Sequence, residues 1–163
     1  MNTDAFYHYL TRTRRALWAT LRAMPDEQLS RAVIPTEGAR CIKDLVMHIA
    51  VVEDGWFRGD LLGRPLVRET FGWKPPSSPD EYWHHPEKSL EELLTYWEAV
   101  EQDTLARWPE LIEQAATDRR VAVDEVLWHV MQHEVRHTAQ IVQMIRLLGD
   151  VPPALDLAFF AAR

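Results

Sequence analysis

Apolar residues along this chain recur at helical spacing in four places. Phe6, Leu10, Leu17 and Leu21 fall on one side of a segment over about 3–24, which Pro25 stops. Leu45, Ile49, Val52 and Trp56 share one face over about 42–62, before Gly63 and Pro65. A third pattern starts at Ser89, where "SLEE" is a capping box with Glu92 at its third helical position. It carries Leu93, Trp97, Val100 and Leu105 and is expected to end at Pro109. The fourth runs over about 123–148 and stops at Gly149. A short last helix is expected in "PALDLAFFAAR". Neither "SRAVIPT" nor "DRRVAV" sustains the alternation of a strand. The expectation is one all-α domain over 1–163, a four-helix bundle. The stretch of about 25 residues between the second and third helices is too long for mere linkage. Its prolines and aromatics predict a structured cover.

Charge and composition narrow the classes. The net charge of −7 leaves no basic footprint for nucleic acid. The arginines of "TRTRRALW" lie inside a helical pattern and read as a solvated face. No apolar run approaches the roughly 20 residues that span a bilayer, and "MNTDAFYHYLTRTRR" has no signal-peptide core. Cys41 is the sole cysteine, which predicts a reducing, cytoplasmic setting. It stands where a helix cap is expected, and it reads as a packing residue rather than a nucleophile.

The chemistry lies in the fourth helix. "HEVRH" places His133 and His137 one turn apart, and His129 precedes them by another turn. With Val126 at zero on a wheel, His133 falls at about −20° and His137 at about +20°, astride the apolar stripe. His129 falls at about −60°, and about 12 Å of rise separates it from His137. Buried imidazoles need partners, and a pair at i and i+4 can converge on one metal ion. On the second helix His48 falls at about −60° from Leu45, at the edge of the buried stripe. It can face the pair if the two helices are neighbours. Gly55 and Gly59, on the same shoulder, leave room for a ligand or a close backbone. His8, His84 and His85 read as exposed.

The string His-Glu-x-x-His also marks zinc proteases. One class needs Gly and His three and six residues after the second histidine, where this chain has Gln140 and Gln143. Another needs a downstream glutamate, and none follows Glu134. The protease reading fails on both counts.

The segments "CIKDLVMHIAVVEDGWF", "VLWHVMQHEVRHTAQI" and "LLGDVPPALDLAFF" together resemble the DinB/YfiT-like four-helix-bundle metalloproteins, over nearly the whole chain. The resemblance implies a bundle with crossover connectivity, often a homodimer, and a divalent metal, zinc or nickel. By position the three histidine ligands are His48, His133 and His137. Thr138 and Ala139 stand where many members have Arg-Gly, and Cys41 where many have Ser or Thr. Three neutral imidazoles leave coordination positions open. The resemblance therefore implies metal-assisted transfer of a low-molecular-weight thiol of the bacillithiol or mycothiol type to a small-molecule electrophile. A metal-dependent hydrolase with Glu134 as base is one alternative. A non-enzymatic metal-binding stress-response bundle is another. A pocket lined by Trp56, Trp73 and Tyr82 would favour an enzyme.

Overall fold

Asn2 starts the first helix, its side-chain oxygen accepting from the Ala5 N–H at 2.9 Å. In this computed structural model, which describes residues 2–34, 40–74, 87–117 and 123–160, helix α1 then spans Thr3–Arg22. A single turn, α2 (Asp26–Leu29), follows Pro25. α3 spans Ile42–Glu53 and continues as a π-helical segment, Asp54–Leu61. After the short α4 (Val67–Thr70) come α5 (Leu90–Thr117), α6 (Val123–Leu147) and the one-turn α7 (Leu157–Phe160). Every regular element among the described residues is helical, as the periodicity predicts.

The caps explain where the helices begin and end. The Ser89 N–H donates to Glu92 at 2.8 Å and the Glu92 N–H to Ser89 Oγ at 3.3 Å, so the predicted box is made in both directions. At the start of α3 the Cys41 N–H donates to Asp44 at 3.1 Å. Gly149 ends α6 with φ at 91°, a conformation that favours glycine. The next residue, Asp150, donates its N–H back to the Ile145 carbonyl at 3.1 Å.

α3 packs on α5 and α6, and α1 on α6 and α5. The apolar side chains form two clusters. One contains Leu17, Leu21, Leu45, Ile49, Trp97, Ile141 and Met144. The other contains Tyr7, Leu10, Phe57, Trp108, Leu111, Leu127 and Val130. Along each long helix, one member of a buried ion-pair network falls between the stretches that feed the two clusters. These are Arg14, Glu53, Glu101 and Glu134.

Four expectations change. The second helix is not α throughout. The i→i+5 pattern from Asp54 adds a residue to each turn. Within this segment Trp56, expected on the buried face, is 38% exposed, and Phe57 takes the inward place at 2%. α5 runs through Pro109 to Thr117. Trp108 and Leu111, buried on either side of the proline, hold the helix together despite the missing N–H. Arg14 is no solvated arginine: it is 1% exposed. The last helix starts at Leu157, later than expected, and the residues before it are non-helical chain, with Tyr9 donating its hydroxyl to the Leu155 carbonyl at 2.5 Å. Of the long connection, the described part packs as expected. Val67 is buried in the first cluster, and Phe71 and Trp73 lie against it. No helix among the described residues is long and apolar enough to cross a membrane.

Candidate metal centre

His48 projects from the middle of α3, and His133 and His137 from successive turns of α6. α3 and α6 are in contact, so the condition for His48 to face the pair is met. His48 Nε2 lies 3.0 Å from His133 Nε2, and His137 Nε2 lies 3.0 Å from the same atom. One donor nitrogen from each ring falls within 4.8 Å of the other two. Metal–imidazole bonds of about 2.1 Å place ligand nitrogens roughly 3 to 3.5 Å apart. The spacing therefore fits a single small ion. His48 and His137 are each 7% exposed, and His133 is partly buried.

The protonation states suit ligation. Burial, then the neighbouring His137 and His48, pushes the His133 pKa down to about 3. The ring is therefore neutral at ordinary pH. His137 Nδ1 lies 2.5 Å from the Gln140 side-chain oxygen. That oxygen can only accept, so Nδ1 carries the proton and Nε2 turns its lone pair toward the cluster. Gln140 was visible as the i+3 neighbour of a candidate ligand, and its orienting role becomes clear only from the contact.

His129 stands outside the cluster. It is exposed, its ring 6.4 Å from that of His133 and 5.7 Å edge-on to Trp56. Trp56, Glu125, Val126 and His129 line a shallow cavity of about 380 Å³ beside it. Trp73 lies elsewhere, against Phe71 and Tyr96 at centroid distances of 5.3 and 5.0 Å. Tyr82, the third aromatic expected there, falls outside the described residues, as do His84 and His85. His8 is exposed near Asp4. Within the π-helical segment, a Cβ at Gly55 would meet nothing within 4 Å, whereas one at Gly59 would lie 3.0 Å from Leu66. Gly55 leaves space, and Gly59 accommodates a close neighbour.

Cys41 is 7% exposed, and burial is the main cause that lifts its thiol pKa to about 11. Glu134 does not face solvent. It is 3% exposed, and its two carboxylate oxygens accept from Arg14 Nε at 2.8 Å and Nη2 at 2.6 Å. Burial raises its pKa above the usual carboxylate range, against the opposing pull of Arg14. The buried arginine has a trace in the sequence, since Arg14 stands four residues after Leu10 and three before Leu17. That spacing puts it on the flank of the apolar stripe.

The arrangement gives three imidazole nitrogens converging on one point, one ring held in tautomer by an amide, and a glutamate committed to an arginine. No curated protein and no solved structure matches the chain. The DinB family model matches residues 1–163, the full length, and the chain belongs to the DinB family.

Proposed function

We propose that His48, His133 and His137 hold one divalent ion, zinc or nickel, in an enzyme that transfers a low-molecular-weight thiol to a small electrophile. The observation that carries this reading is the convergence of the three Nε2 atoms. When bound, the ion would supply positive charge that lowers the pKa of a thiol or water beside it. Three protein ligands leave room for such a molecule. The chain's own contribution is to keep the His133 imidazole neutral through burial and its histidine neighbours, and to orient His137 through Gln140. Cys41, protonated and buried, leaves the nucleophile to come from outside the chain. The pairing of Glu134 with Arg14 speaks against its use as a base for water, and so favours transfer over hydrolysis.

Metal analysis of the purified protein, then a screen of thiols against electrophiles with and without chelator, tests the proposal. The expected result is one ion per chain and turnover that needs both ion and thiol. His133→Ala should abolish stoichiometric metal and turnover, while His129→Ala should keep most of both. Equal loss from the two variants would mean that the wrong histidines were chosen. Hydrolysis without thiol would favour the hydrolase. A bound ion with no turnover in either screen would favour a binding protein.

A further inference from the structure

A single guanidinium joins all four long helices behind the histidines. Arg14 on α1 donates five hydrogen bonds, which is every N–H it has. Nε and Nη2 grip Glu134 on α6 as a fork, at 2.8 and 2.6 Å. Nη2 also reaches Glu53 on α3 at 2.6 Å. Nη1 reaches Glu101 on α5 at 3.1 Å and the Tyr7 hydroxyl at 3.4 Å. The second Glu53 oxygen is in turn held by the hydroxyls of Tyr7 at 2.5 Å and Thr104 at 2.8 Å. Arg14 and its three carboxylate partners are each 3% exposed or less.

Two of these partners lie close to the proposed ligands. Glu134 is the residue after His133. Glu53 lies five residues after His48 on the same helix, about 7.5 Å along its axis. It is also the last residue before the π-helical segment. His48 comes from α3 and the other two histidines from α6, so the spacing of these helices decides whether three nitrogens meet. Apolar packing alone tolerates small slides between helices, whereas a fork of short charged hydrogen bonds has a defined geometry.

We propose that Arg14 is a positioning residue for the three-histidine centre: by holding Glu53 and Glu134 on one guanidinium, it fixes α3 against α6 so that His48 meets His133 and His137. This rests on the metal-binding reading above. Its loss should disturb the metal even in a protein that still folds, and more than an equal loss of stability elsewhere would.

The test uses Co(II), whose visible absorption reports its ligand geometry. Affinity and spectrum are measured for the full chain, for Arg14→Met and for Leu111→Ala, with helical circular dichroism recorded on each sample. Leu111 is fully buried on α5 in the second apolar cluster, ten residues along the chain from Glu101, and its side chain has no polar group. Arg14→Met should weaken Co(II) binding about tenfold or more and shift the visible band, with helical content retained. Leu111→Ala should melt at a lower temperature with affinity within about twofold of the parent chain and an unchanged band. If Arg14→Met does not fold, Glu53→Gln, which keeps the shape of the side chain, takes its place with the same expected loss. A folded Arg14→Met or Glu53→Gln with the parent's affinity and band would overturn the proposal. So would a Leu111→Ala protein that loses as much affinity. A parent chain that takes up no Co(II), zinc or nickel would instead overturn the metal reading itself, before Arg14 is touched.

Discussion

A thiol at the start of a helix that carries a candidate metal ligand invites assignment as a nucleophile, and Cys41 shows why position alone misleads. Its pKa of about 11 leaves about a thousandth of it ionised at pH 8, against about a tenth for an unperturbed thiol. Iodoacetamide should therefore modify the folded protein slowly at pH 8. The rate should rise with pH toward 11, and Cys41→Ser should keep the metal. Rapid alkylation at pH 8, followed mass-spectrometrically, would show an accessible thiolate and reverse the assignment. The helical wheel made the histidines legible because 133 and 137 straddle a stripe that only a partner could justify. It gave less warning for Glu134 and Arg14. Charged side chains at the flank of a stripe are usually solvated, and what buries these two is each other, across 120 residues of chain.

The four long helices were legible as elements because each keeps an apolar face for several turns. Their interruptions were not. Pro109 ordinarily ends a helix, and propensity alone stops α5 there. Burial of Trp108 and Leu111 outweighs a local cost of about 3 kcal/mol. Pro109→Ala should then stabilise the protein, by about 1 to 3 kcal/mol in urea unfolding, because the helix gains a backbone hydrogen bond without changing course. An unchanged midpoint would argue that the helix does not pass through this position. The π-helical segment was hidden for a different reason. The inward position in this segment falls on Phe57 and not on Trp56, and both are apolar aromatics, so the pattern reads the same either way.

At the scale of the whole molecule, two apolar clusters meet at a layer of charge in which Arg14 serves three carboxylates. Leaving those carboxylates buried without it is expensive. Arg14→Met should lower the free energy of unfolding by about 3 to 5 kcal/mol in urea titrations. A loss under about 1 kcal/mol would mean that the layer takes up water or protons instead. The same layer has a bearing on how the chain folds. The ion pairs of Arg14 join residues 39, 87 and 120 positions apart. Closing such loops is slow, and a guanidinium stripped of water before its carboxylates arrive has nothing to offset the loss. The apolar clusters should therefore assemble first and the arginine engage last, after the rate-limiting barrier. In stopped-flow measurements Arg14→Met should refold at nearly the parent rate and unfold about a hundredfold faster or more. The two helices that carry the histidines would thus acquire their final register in the last step of folding, and a nascent chain would become competent for metal only once its structure is complete.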